Sequence, residues 1–390
     1  MTLRRNLLLG GFALTVLTLL LSTGRPFQAT VGAQQKMAPR FEVDPLWPKP
    51  LPNHWRIGST IGVGTDAKDH VYIVHRPGSL TRNELHLDQG RGPCCAAAPP
   101  VLQFDPAGNL VRSWGGPGKG YEWPESGHGI TVDTEGNLWM GGNGGNDDHF
   151  LQFTPEGKFL RQFGFAYANG GSNDPWAYNQ VAKLTVDLPA NEVYVADGYG
   201  NRRVAVVDIK TGKMKRHWGA YGNKPDDRNS GAYDPNAKPA QQFRPPVHCV
   251  EISKDGLVYV CDRGNNRIQV FKKDGTYVRE LVISPKTKDT MGTAFDVAFS
   301  ADPQQRFLYV ANGADDRVHI VERATMEILT QFGDGGRQPG AFYCVHSIAT
   351  DTKGNIYTTE TFEGKRVQKF VYKGLAPVQK FDQGVVWPTP

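Results

Sequence analysis

One unit recurs six times along this chain, and that recurrence limits what the chain can fold into. Its clearest copy is QQFRPPVHCVEISKDGLVYVCDRGNNRIQVF at 241–271. His248 opens a run of alternating and β-branched residues, and Lys254-Asp255-Gly256 makes a turn. Val258 to Cys261 is a second run, Asp262-Arg263-Gly264-Asn265-Asn266 a second turn, and Arg267 to Phe271 a third run. Gly and Asn supply the positive φ that tight turns need, and the runs between them suit a pleated, half-buried surface. A single small sheet of this kind cannot bury its own faces, so the copies must stack on one another.

The register of the copies is read from two columns. The turn after the first strand begins at Asp66, Asp133, Asp187, Ser253, Ser300 and Asp351, at steps of 67, 54, 66, 47 and 51 residues. Arg203, Arg267, Arg317 and Arg366 start the third strand in copies three to six. Steps of this size, three or four strands per copy and no stretch of helical period predict an all-β fold, a six-bladed β-propeller. Copy one carries an insertion, about Pro77 to Pro100, ahead of its third strand Val101 to Phe104.

Residues 1–33 stand outside that pattern. Arg4-Arg5, the apolar run Leu7 to Leu21 and the small residues Ala29 and Ala33 read as a secretory signal peptide, or as a membrane anchor if retained. The run is short beside the roughly 20 residues of a spanning helix. Residues 34–56 form an extended leading segment and 57–390 the propeller, with the ring-closing strand coming from Phe381 to Val386 or from 41–47. Export predicts a secreted or periplasmic protein, where disulfides persist. Cys94 and Cys95 are adjacent, Cys249, Cys261 and Cys344 are scattered, and an odd count leaves at least one thiol unpaired. The formal charge of +5 is not clustered, which argues against nucleic acid as a partner. A monomer is expected.

The first strand of each blade lines the channel. Five positions before the turn column stand Ile61, His128, Ala182, His248, Phe295 and His346. Histidines alternate with apolar residues, which puts three imidazoles around one axis at threefold spacing. Three neutral nitrogens plus a water or substrate oxygen make an open catalytic zinc site. The competing reading is a channel whose histidines only hydrogen-bond a ligand.

These repeats are similar to NHL repeats, most clearly in VYVCDRGNNRIQVF. More narrowly, the chain resembles the peptidyl-α-hydroxyglycine α-amidating lyase family. The shared motifs are HRPG at 75–78, GHGITVDTEGNLW at 127–139, VADGYGNRR at 195–203, PVHCVEI at 246–252, CDRGNNRIQ at 261–269 and VHSIATDTKGNIY at 345–357. The resemblance implies zinc on His128, His248 and His346, a catalytic tyrosine at Tyr199 and two site arginines, Arg76 and Arg263. It implies cleavage of a carbinolamide C–N bond in a peptide or small molecule, releasing an amide and glyoxylate. Zinc would lower the pKa of the hydroxyl it holds, the tyrosine would take the proton, and an arginine fork suits a carboxylate.

Read from the residues alone, Tyr199 is a turn aromatic between two glycines and Arg76 a loop charge. Arg263 stands outside the arginine column, whose member in that copy is Arg267. The chain also departs from the family. Ser347 stands where the family places a carboxylate for calcium, and Lys183 where it has an acid, so calcium lacks its expected ligands. Tyr259 and Val270 replace one cysteine pair, Gly200 another cysteine, and Cys344 a methionine. Two other functions stay open: a non-catalytic NHL propeller that binds a peptide or glycan, and a zinc hydrolase of another substrate.

Overall fold

A computed structural model describes residues 35–379 and 385–386. The expected signal peptide, residues 1–33, and Phe381 to Gly384 lie outside them. Six sheets form the blades, each built on antiparallel strands that follow one another in space as in sequence, with further strands added to the sixth, and Trp55–Arg56 makes a small parallel pair with Ala96–Ala97. Blade one contains Ser59–Thr65, Val71–Arg76, Val101–Phe104 and Leu110–Trp114. Blades two to six begin on Gly127–Val132, Val181–Asp187, Val247–Ile252, Asp296–Phe299 and Val345–Thr350. Each first strand packs on those of its neighbours, the sixth on the first included. The fold is the expected six-bladed β-propeller, with no α-helix among the described residues.

The turn column has a physical basis. Asp133 Oδ1 accepts the N–H groups of Glu135 and Asn137, and its Oδ2 accepts the indole N–H of Trp139 at 2.8 Å. Asp66 and Asp351 repeat this with Tyr72 and Tyr357. One carboxylate therefore closes the turn and also satisfies the polar end of a core aromatic. The arginine column works next door. Arg203, Arg267 and Arg366 bond to the carboxylate that ends the second strand, Asp197, Asp262 and Glu360, at 2.8, 2.7 and 2.7 Å. Arg317 differs: its Nε donates to the Asp315 carbonyl instead.

Both candidate closing segments contribute. Met37–Asp44 pairs antiparallel with Arg366–Pro377, from Met37 beside Pro377 to Asp44 beside Lys369. Val385–Val386 adds on its outer side in parallel. The leading segment thus supplies the fourth strand of blade six. Its alternation explains why: Pro39, Phe41 and Val43 are buried while Arg40 is exposed. Phe41 lies 5.6 Å from Tyr309 and 5.5 Å from Phe332, centroid to centroid, so it seals blade six onto blade five. Trp47 follows, wedged between Phe104 and Tyr357. A fully buried aromatic of this size stabilises by about 1.5–3 kcal/mol.

Candidate metal centre

The three histidines come from the first strands of blades two, four and six. At this level the ladder of each strand slips by one residue. In blades four and six the residue left without a partner is the histidine itself. In blade two it is Gly129, whose φ of +54° and close approach to the Ala182 carbonyl leave no room for a Cβ. A bulge of this kind re-aims side chains next to it.

Each Nδ1 then meets a carbonyl of the next blade. His128 Nδ1 lies 2.7 Å from Ala182 O, His248 Nδ1 2.5 Å from Phe295 O and His346 Nδ1 2.7 Å from Ile61 O. The acceptors are the three apolar members of the channel column. Nδ1 carries the proton in each ring, which leaves every Nε2 as a lone pair. The ring centroids form a near-equilateral triangle of 4.9, 4.9 and 4.7 Å. The ligating atoms lie within 4.8 Å of one another. Burial lowers the pKa of all three, helped by the charges of neighbouring groups: His346 and Arg76 for His128, and Arg263 for His248 and His346, with His346 brought to about 3. The rings are neutral at physiological pH, and three neutral imidazoles in this arrangement could hold a metal ion.

Tyr199 reaches the same point. Its Oη lies 3.0 Å from Nε2 of His128 and 3.1 Å from Nε2 of His248. The loop is fixed by two backbone bonds, Tyr199 N–H to Gln180 O and Gly200 N–H to Asn179 O. A Cβ on residue 200 would fall inside the Asn179 side chain, so the glycine lets the two loops approach. Arg263 donates from Nη1 to Tyr199 Oη at 3.3 Å and stacks its guanidinium over Phe295, 4.5 Å from the ring centroid. Its Nε is buried without a partner. Arg76 donates from Nε to Gly127 O and from Nη2 to Asn143 Oδ1.

All six residues singled out in the sequence therefore lie at one mouth of the channel. Unlike Arg203, Arg267 and Arg366, neither Arg76 nor Arg263 has a carboxylate partner among the described residues. The sequence reading missed Asn143 and Phe295 as partners of these arginines. Asn143 follows a second strand, as Arg263 does, and that shared position was the available signal. The cysteines resolve into Cys94–Cys95 and Cys249–Cys261, with Cys344 free and buried.

The NHL repeat profile matches residues 247–271. The chain is a six-bladed propeller that carries an NHL repeat in its fourth blade. It is 28% identical over 335 residues to peptidyl-glycine alpha-amidating monooxygenase B of Xenopus laevis, covering 81% of this chain and 34% of that protein. It is 25% identical over 355 residues to peptidyl-alpha-hydroxyglycine alpha-amidating lyase 1 of Drosophila melanogaster, covering 85% of this chain and 59% of that one. The NHL propeller thus spans about a third of the frog relative and rather more than half of the fly relative. In fold it is similar to a solved streptogramin B lyase, with a TM-score of 0.52 and 11% identity over 86% of this chain and 98% of that one.

Proposed function

We propose that this propeller is an exported zinc-dependent carbon–nitrogen lyase of the amidating type, acting on a peptidyl or other N-acyl α-hydroxyglycine. The observation that carries the reading is the pairing of three neutral imidazoles with two arginines that lack carboxylate partners, around one tyrosine hydroxyl. Buried guanidinium groups are normally paired, and such a pair of open forks suits an anionic substrate. The amidating relatives point to the same chemistry, and the Cys249–Cys261 disulfide suits an oxidising compartment.

A zinc ion held by His128, His248 and His346 would supply Lewis acidity to the substrate hydroxyl. The chain's own residues do the rest. Arg76 and Arg263 hold the substrate carboxylate from two sides of the mouth. Tyr199, as phenolate, accepts the hydroxyl proton, with the Arg263 Nη1–H on the same oxygen. The C–O bond becomes the carbonyl of glyoxylate, the C–N bond breaks, and its electron pair stays on nitrogen. Nitrogen takes up the proton that Tyr199 accepted and leaves as the amide, so atoms and charge balance with no change of oxidation state.

The test is glyoxylate release from a synthetic α-hydroxyglycine peptide by purified protein of measured zinc content. Stoichiometric zinc with glyoxylate release supports the reading. Zinc without glyoxylate turns it into a hydrolase of another substrate, and neither leaves a binding propeller.

A further inference from the structure

Farther along the channel, past the histidines, lies a cluster of buried charges. Lys183, Asp296 and Ser347 each directly follow a channel residue, Ala182, Phe295 and His346. Lys183 Nζ lies 2.7 and 2.8 Å from the two oxygens of Asp296 and 2.8 Å from Glu251 Oε1. Lys183 is 5% exposed and Asp296 2%. Ser347 Oγ donates to Asp296 Oδ2 at 2.6 Å, and the N–H groups of Ile348 and Val297 complete that carboxylate. The cluster ties together blade three through Lys183, blade four through Glu251, blade five through Asp296 and blade six through Ser347. Its far side faces a cavity of about 230 Å³ at the opposite mouth.

The family resemblance would put an acid at 183, a carboxylate at 347 and calcium in this region. The residues present do not fit calcium. Calcium takes 6–8 oxygen ligands with several carboxylates among them. Here the two carboxylates already hold an ammonium and the hydroxyl donates to one of them, and an incoming ion would leave that ammonium buried beside a second positive charge. Burial alone would lower the Lys183 pKa, but Asp296 and Glu251 outweigh it and hold it above its ordinary value. Burial raises the Glu251 carboxyl, while Asp296 meets the ammonium with both of its oxygens.

We infer that Lys183 is a built-in cation: its ammonium takes the part of a divalent ion in the channel and positions the metal centre. The residues on either side of the argument are adjacent in sequence. Ala182 and Phe295 offer the carbonyls that hold His128 and His248, and the next residue of each, Lys183 and Asp296, is locked to the other across the axis. The ion pair thus sets the separation of those carbonyls and the aim of two of the three Nε2 atoms. Lys183 touches no substrate in this arrangement and acts as a positioning residue. This second role rests on the zinc reading; the replacement of calcium does not.

The test uses the full chain after dialysis against a calcium chelator. The unfolding midpoint of the wild type should not move with millimolar calcium. Lys183→Met should lower the midpoint and weaken zinc affinity by about 10–100-fold, the range seen when an outer partner of a metal ligand is removed. Lys183→Asp combined with Ser347→Asp should unfold early without calcium and be stabilised by it. A saturable rise of the wild-type midpoint with calcium overturns the inference, whether or not the Lys183→Met protein folds. An unchanged midpoint and zinc affinity in Lys183→Met overturns it equally. A wild type that binds no zinc defeats the proposed function alone, since the calcium titrations still judge the channel cation.

Discussion

Tyr199 is the residue on which the proposed chemistry turns, because its hydroxyl meets two imidazoles and a guanidinium at once. Tyr199→Phe should cut turnover by about 10²–10⁴-fold, the usual share of a positioned base. Zinc content should stay the same, since the proposed ligands are the three imidazoles. Equal activity in the two proteins, assayed by glyoxylate release, would remove Tyr199 from the mechanism. A second residue sets an acid limit. His75 accepts the Gly58 N–H on Nδ1 and lies 3.0 Å from Pro99 O through Nε2, so a second proton would face a donor. Burial lowers its pKa to about 4. The unfolded chain binds that proton below about 6.5 and the folded chain only below about 4. The stabilisation is complete above pH 6.5 and is lost as pH falls toward 4, on the order of 3 kcal/mol. Unfolding midpoints from pH 7 to pH 4 should fall more steeply in the wild type than in His75→Gln. The three channel histidines were legible from their shared register. The carbonyls that orient them were not, because Ile61, Ala182 and Phe295 read as apolar side chains and their backbone role appears only when blades meet.

At the scale of the blade, the hairpin sets function as well as shape. First strands begin, and second strands end, at the same mouth, so Arg76, Asn143, Tyr199 and Arg263 all leave second strands toward the histidines. The arginine column locks those loops. Arg203 is fully buried on Asp197 and also donates to the carbonyls of Asp174 and Ala177, just ahead of Gln180 and the Tyr199 anchor. Arg203→Met leaves Asp197 buried and uncompensated, and should cost about 3–5 kcal/mol in chemical denaturation. A loss below about 1 kcal/mol would show the column to be dispensable. Strand positions and both columns were readable because they depend on neighbours within about a dozen residues. Asn143 and the Lys183–Asp296 pair were not, because each is a contact between blades.

Across the whole molecule, the ring closes on a strand from its own beginning. Phe41 and Val43 are buried in the sixth blade, and Trp47 fills the seam between blades six and one. Deleting residues 37–44 should expose that face, broaden the unfolding transition and lower its midpoint, as followed by circular dichroism. An unaltered transition would mean that the three strands of blade six that still pair with one another suffice. The sequence left two closing segments open because the partner of the leading strand, Arg366–Pro377, is more than three hundred residues away from Met37 and no local period links them.

The alternation around the axis has one more consequence. Blades two, four and six give the imidazoles; blades three, five and one give the carbonyls that aim them. No arc of the ring is a spectator, so the centre has no half-built form. A nascent or locally melted chain offers scattered histidines with free tautomers, and the geometry arrives only with the final seam. Metal occupancy of the centre should thereby report complete assembly, and damage to any single blade should lower it.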